Sequence, residues 1–224
     1  MPQQLSFNLP AITALGREDF FVSPANAAAV AMIEAWQNWP ARKLALIGPA
    51  SSGKTHLTHV WATLAKAQII PAASLARADI PALAAGNVAV EDVARIAGIA
   101  KAEAALFHLH NLTLAEGNSL LLTAARAPNF WQLRLPDLAS RMSATAIVTL
   151  EPPDDSLLSA VLIKLFTDRQ LAPTPETIPY LTRRIDRSLI AARQIVERLD
   201  AASLETGRAI NRALAAQVLD KPAH

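Results

Sequence analysis

The sequence predicts an α/β protein: a P-loop core on a parallel sheet, followed by a small all-α domain. Three observations carry this. Up to Leu150, short apolar runs alternate with helical patterns in units of about 25–35 residues, the signature of strand–helix–strand crossovers. Between the first such run and the next helix lies Gly48-Pro-Ala-Ser-Ser-Gly-Lys-Thr55, which satisfies G-x-x-x-x-G-K-[ST] in full. After Glu151-Pro152-Pro153 the alternation stops and only helical patterns remain.

The elements follow in order. Residues 1–10 form a short tail with Pro2 and Pro10 near its ends. Phe20-Phe21-Val22 is a brief apolar run closed by Ser23-Pro24, which reads as a helix N-cap with proline at the first helical position. Residues 26–39 form a helix with Val30, Ile33 and Trp36 on one face, ended by Pro40. Strands are expected at 44–47, 68–70, 87–90, 119–123 and 146–150, and helices at 55–67 and 99–115. Beyond them, helices are expected at 155–169, 175–185, 188–203 and 211–219, separated at Pro173, Asp186 and Gly207. The expected organisation is a tail (1–10), a core (11–152) and a helical domain (153–224).

Composition narrows the function classes. The 224 residues contain no cysteine, which excludes a disulfide scaffold, a Cys-ligated metal site and Cys-based catalysis. With 46 alanines against 7 glycines, the chain favours helix. The net charge is +2, and neither side of residue 150 concentrates positive charge, so direct sequence-specific DNA binding is not expected. No apolar run reaches membrane-spanning length, and the N-terminus lacks the pattern of a secretory signal, so no membrane role and a cytoplasmic location are expected.

The loop between strand and helix carries the chemistry. Unpaired N–H groups at a helix N-terminus bind anions, and the glycines let the backbone approach phosphates closely. Gly48, Pro49, Ser51, Ser52, Gly53, Lys54, Thr55 and His56 are the expected contacts for ADP or ATP. Lys54 would reach the β- and γ-phosphates, and the Thr55 hydroxyl would sit on Mg²⁺. Glu91 and Asp92, directly after an apolar strand, supply the carboxylates such a site needs: Glu91 for Mg²⁺ and Asp92 to polarise the attacking water. The alternative is an acidic N-cap pair on the next helix. His56 and His59, and His108 with His110, converge on no four-ligand set, so zinc is not expected. The four tryptophans read as core or interface anchors, and Arg183, Arg184 and Arg187 as a solvated helix end or partner-facing patch.

Several segments resemble the DnaA family of AAA+ replication initiators. They are FFVSPAN (20–26), GPASSGKTHL (48–57), VEDVARIAG (90–98), LLLTAARAP (120–128), LPDLASRM (135–142) and DRSLIAARQIVERLDAAS (186–203). The resemblance runs from residue 4 to about residue 219, and it is to the short Hda-type members that lack the helix-turn-helix DNA-binding domain. It implies an AAA+ core with a helical lid that binds an adenine nucleotide and restrains initiation. Gln4, Leu5, Ser6, Phe7 and Leu9 are similar to the motif by which such proteins dock on the sliding clamp of DNA polymerase III. An extended peptide of this kind can place Leu5, Phe7 and Leu9 in an apolar pocket, or the segment can pack on its own core.

The resemblance also implies that Arg141 is an arginine finger offered in trans to ATP-bound DnaA, promoting its hydrolysis; the alternative is a surface arginine in a helix–strand loop. Two positions depart from the pattern. Thr123-Ala124-Ala125 stands where a polar or acidic sensor is expected, and Ile190 where a lid arginine is expected, with Arg187 and Arg193 as substitutes. Both departures imply weak or absent hydrolysis by this chain itself, the nucleotide acting as a clamp between core and lid. The partners implied are DnaA and the clamp, with a homodimer as a further expectation. The competing readings are a self-sufficient P-loop ATPase of helicase-loader type and a non-catalytic clamp-bound adaptor.

Overall fold

The structure is a computed structural model and describes residues 21–220. The tail expected at 1–10 lies outside the described residues. Five strands, β1 (Lys43–Ile47), β2 (Gln68–Pro71), β3 (Val88–Glu91), β4 (Leu120–Ala124) and β5 (Ala146–Thr149), pair in parallel in the order β2-β3-β4-β1-β5. Each lies within one residue of its expected position. Parallel strands buried on both faces read as continuous apolar runs rather than alternating ones, and all five residues of β4 are buried.

β1 is paired along both edges: Lys43–Ile47 against Leu120–Ala124, and Leu44–Ile47 against Ala146–Thr149. The chain leaves β1 for the far edge of the sheet and returns later to its other side. This places a crevice at the carboxyl end of β1, where open α/β sheets bind ligands.

Helices cover both faces of the sheet. On one, α1 (Ala27–Glu34) and α2 (Lys54–Ala65) bury Val30, Ile33, Leu57 and Trp61 against Leu44, Leu46 and Val148. The Trp39 and Trp61 rings stack with centroids 5.2 Å apart, and Trp36 meets Trp61 edge-on at 6.4 Å. On the other face, α3 (Ile80–Ala84), α4 (Ala100–Ala115) and α5 (Pro136–Ser143) pack Ala84, Leu106, Leu109 and Met142 against Val88, Val90 and Leu122. Neither α3 nor α5 is anticipated from the sequence. Each buries only two residues, Ile80 and Ala84 or Leu138 and Met142, too few for a helical period to show.

α1 corrects a second expectation. Ser23 and Pro24 do not cap it. The Ser23 carbonyl accepts from the Asn26 and Ala27 N–H groups, and Asn26 Oδ1 accepts from the Ser23 N–H at 2.9 Å. This reciprocal turn delays the helix to Ala27. The helix ends at Glu34 rather than Trp39, because residues 36–38 tighten into a 3₁₀ turn while the Trp39 indole donates to the Met32 carbonyl at 2.7 Å.

Four helices follow the sheet: α6 (Asp155–Asp168), α7 (Thr177–Thr182), α8 (Leu189–Thr206) and α9 (Arg212–Asp220). They enclose a core of their own that includes Leu158, Leu162, Phe166, Leu181, Val196, Leu199 and Leu214. Asp154 and Ser188 cap α6 and α8 by accepting from the Leu157 and Ala191 N–H groups. Among the described residues no helix is long and apolar enough to cross a membrane.

Glu103 fastens α4 to the segment before α5. It is 1% exposed and accepts N–H bonds from Gly98, Arg134 and Leu135 at 2.7–2.9 Å. Burial alone would push its pKa up, but these three donors and the Arg134 charge outweigh it and hold the carboxyl below its ordinary value. Its contribution to stability is therefore present above the ordinary carboxylate pKa and is lost as pH falls through the lowered one. Glu103→Gln turns one acceptor toward a backbone donor and is expected to cost about 1–3 kcal/mol at pH 7. Urea denaturation of both proteins between pH 7 and pH 3 should show that difference shrinking at the acid end.

Candidate functional site

The phosphate-binding candidates leave β1 directly. Gly48 passes against the strand on its far side: a Cβ there would lie 2.5 Å from the Leu150 carbonyl oxygen and 2.8 Å from Ser52 Oγ. Gly53, with φ +104°, occupies the left-handed region and opens α2, so its N–H and those after it face the loop. Lys54 folds back over this loop, its Nζ donating to the Gly48 and Pro49 carbonyls at 2.8 and 2.7 Å. Burial pushes its pKa down, while the Asp92 and Glu91 carboxylates pull it up; burial wins, and the pKa is lowered. The ammonium thus lies in the field of both acidic residues. Ser52 Oγ is buried without a partner. The Thr55 side chain, on the first turn of α2, is exposed.

The acidic pair ends β3. Glu91 Oε1 is buried and unpartnered, an orphaned acceptor that a cation would satisfy. Asp92 is a non-glycine residue at φ +56°, held there as its N–H donates to Thr123 Oγ1 at 3.1 Å. Its exposed carboxylate lies 3.9 Å from Arg95. It occupies the N-cap position of the 3₁₀ turn at Val93–Ile96, but its side chain makes no cap bond there. Thr123 is thus already committed to Asp92, and Ala124 and Ala125 add no polar group.

The helical region reaches the same loop. The Leu189 N–H, at the start of α8, donates to the Ser51 carbonyl at 3.2 Å, and Leu189 Cδ1 would touch a Cβ on Gly53 at 3.4 Å. Behind it, Arg187 pairs with Asp155 at 2.7 Å and reaches the Pro153 carbonyl, so its guanidinium is engaged away from the loop. Burial would raise the Asp154 carboxyl, but it is held below its ordinary value by Leu157 N–H, the Ser156 and Ser23 hydroxyls and Ala25 N–H. The Glu151 N–H donates to the Ala25 carbonyl. Residues 23–25, 48–53, 150–155 and 187–189 thereby close a ring of contacts. Phe21 and Val22, 48% and 42% exposed, stand at its start. Ile190 is 54% exposed; exposed Arg193, one turn beyond Leu189, shares that residue's side of α8.

Arg141 is elsewhere. It lies in the last turn of α5, not in a loop, and its carbonyl accepts from Lys43, the first residue of β1. The candidate phosphate-binding loop begins after the last residue of that strand, so the two ends are about 15 Å apart along it. The Arg141 side chain is exposed, its guanidinium 5.2 Å from the Phe107 ring centroid. The sequence marks Arg141 but not its supports. Lys43 stands out only as the charged opening of an apolar strand, and nothing local ties Leu189 to the loop.

A search of curated proteins finds an uncharacterized protein of Haemophilus influenzae, 30% identical over 175 residues that span 72% of this chain and 74% of that protein. The chain belongs to that protein's family. No family model matches. Among solved structures, domain III of the Thermotoga maritima replication initiation protein DnaA superposes with a TM-score of 0.78 at 20% identity, covering 96% of this chain and all of that one. A replication initiator DnaA bound to AMPPCP and single-stranded DNA gives 0.71 at 20% identity, over 84% of this chain and 65% of that one. A point mutant of Thermotoga maritima RuvB gives 0.67 at 13% identity, over 88% and 68%. These likenesses establish the fold, the AAA+ α/β core with helical domain seen in DnaA domain III.

Gly48→Ala should cost about 1–3 kcal/mol, because the added methyl meets backbone and not a flexible side-chain end. Gly86→Ala, where a Cβ meets nothing within 4 Å, should leave stability nearly unchanged. Urea denaturation of the two variants side by side makes the comparison.

Proposed function

We propose that the chain is a DnaA-like AAA+ regulator of chromosomal replication initiation. It binds ADP or ATP at Gly48–Thr55 and docks on the sliding clamp through Gln4, Leu5, Ser6, Phe7 and Leu9. From there it stimulates ATP hydrolysis by DnaA in trans through Arg141, which prevents re-initiation. The carrying observation is the position of Arg141: exposed, and at the opposite end of β1 from the chain's own nucleotide loop. A guanidinium there can neutralise phosphate charge only on a nucleotide that another molecule holds.

The loop geometry supports nucleotide binding. Lys54 would exchange its bonds to the Gly48 and Pro49 carbonyls for phosphate oxygens, while the loop N–H groups and Ser52 supply further donors. Two structures of the same fold were solved with AMPPCP, one of them DnaA from Aquifex aeolicus. Thr55 and the orphaned Glu91 would hold Mg²⁺, which when bound neutralises phosphate charge. The Asp92 backbone is anchored to Thr123 and its carboxylate is exposed, a place from which it could face a water. The polar sensor group is missing at Ala124-Ala125, and Arg187 is occupied by Asp155, so the chain's own turnover is proposed to be slow. The nucleotide then serves mainly to join the loop to α8, a binding free energy that stabilises one arrangement of core (11–152) and lid (153–224).

Fluorescent ADP titration should show binding that Lys54→Ala abolishes and Arg141→Ala leaves within twofold. With clamp loaded on DNA and ATP-bound DnaA, the chain should accelerate phosphate release. Arg141→Ala should remove that acceleration, a loss on the order of 10³-fold for a finger of ordinary strength. Unchanged acceleration by Arg141→Ala would refute the trans role. ATP hydrolysis by the chain alone, abolished by Lys54→Ala, would favour the self-sufficient ATPase. Removal of residues 1–9 should raise the concentration needed for stimulation without changing ADP affinity.

A further inference from the structure

Arg141 is held at both ends. Lys43 is only 6% exposed, yet it opens a strand whose remaining residues are Leu, Ala, Leu and Ile. Its ammonium donates to the Arg141 carbonyl at 2.7 Å and lies 3.4 Å from His110 Nε2. His110 Nδ1 is 3.1 Å from Asn111 Oδ1, an acceptor, so Nδ1 carries the ring proton and Nε2 offers its lone pair to Lys43. A second cation here would be repelled. Burial and then the Arg141 charge hold Lys43 below its ordinary pKa. Burial, Lys43 and Arg141 hold His110 below its own against the opposing Asn111 bond, which keeps the ring neutral.

Among the described residues Lys43 makes no ion pair with a carboxylate. What compensates a buried ammonium is the last turn of α5, where unpaired carbonyls form the negative end of the helix. The Thr145 hydroxyl donates to the same carbonyl at 3.2 Å. At its other end the Arg141 guanidinium rests over Phe107. Phe107 and His110, three residues apart, are neighbours on one face of α4. One helix face therefore carries both the ring beneath the guanidinium and the acceptor beside Lys43.

We propose that Lys43, braced by His110, is a positioning residue for Arg141: it clamps the last turn of α5 so that the guanidinium projects from a fixed point above Phe107. A buried lysine without a carboxylate partner costs stability that an apolar residue would not. A gain in placement of Arg141 accounts for it. This inference rests on the reading of Arg141 as the group offered in trans.

The test uses the full chain with clamp-loaded DNA and ATP-bound DnaA, and compares Lys43→Met, Arg141→Ala and the double variant. Lys43→Met should lower the maximal stimulated rate by about tenfold to 10²-fold, the size expected for a group displaced by about an ångström. The half-saturating concentration and ADP affinity should stay within twofold. Lys43→Met should add nothing in the Arg141→Ala background. Lys43→Arg, which keeps a cation at the helix end, should recover part of the rate. Phe107→Leu, which keeps apolar packing but removes the ring, should lower the same maximal rate and serves if Lys43→Met fails to fold.

In parallel, the Arg141 Nε–H resonance should shift or broaden in Lys43→Met. Full stimulation by Lys43→Met while Arg141→Ala abolishes it overturns the positioning role and leaves the trans role standing. A parallel loss of ADP affinity and rate in Lys43→Met also overturns it, in favour of a general structural role. If Arg141→Ala leaves DnaA hydrolysis unchanged, the functional reading fails instead. The resonance then decides positioning alone, and an unaltered Nε–H signal refutes it.

Discussion

β1 is hydrogen-bonded along both edges and buried on both faces, and both ends of it are occupied by charged chemistry. At its carboxyl end the chain must turn sharply under the Leu150 carbonyl, where there is no room for a side chain. At its amino end a lysine is driven inward to meet a helix terminus. A strand confined this tightly can neither twist nor slide to relieve a misfit. The loop before α2 and the last turn of α5 are therefore held at a fixed separation, and each is as well placed as β1 is rigid.

The second region is attached to this frame differently. Its four helices pack around their own apolar cluster, and it approaches the loop 48–53 through a backbone bond from Leu189 to Ser51 and the Leu189 side chain beside Gly53. Its base is tied to the core by Asp154, a part-buried carboxylate that accepts from the Ser23 hydroxyl and the Ala25 N–H. A ligand bridging loop and α8 would add contacts at this junction and so could change its population.

What was legible in the sequence follows from how local each cause is. The three central strands were readable because burial on both faces makes each an unbroken apolar run, Leu120–Leu122 being the clearest. The loop was readable because its glycines and lysine are adjacent. α5 was not, since two buried residues do not make a period. The start of α1 was misplaced because Ser23 and Asn26 bond each other, and a cap and a turn use the same residue types. At the site, Glu91 and Asp92 could be picked out by position, but the bond from Asp92 to Thr123 spans 31 residues. The Lys43 contact with Arg141 spans 98, and no local pattern encodes a contact at that distance.

The sheet order has a consequence for the history of each molecule. The partners of β1 lie far downstream, beginning at Leu120 on one side and Ala146 on the other, and the wall behind Gly48 is Leu150. During synthesis the loop sequence emerges early, but the surroundings that shape it are the last part of the sheet to be made. Through most of elongation the chain therefore carries the G-x-x-x-x-G-K-T motif without the geometry proposed to bind phosphate. Pairings between strands so distant in sequence also form slowly. The geometry proposed to hold a ligand is complete only once the final strand closes against the first.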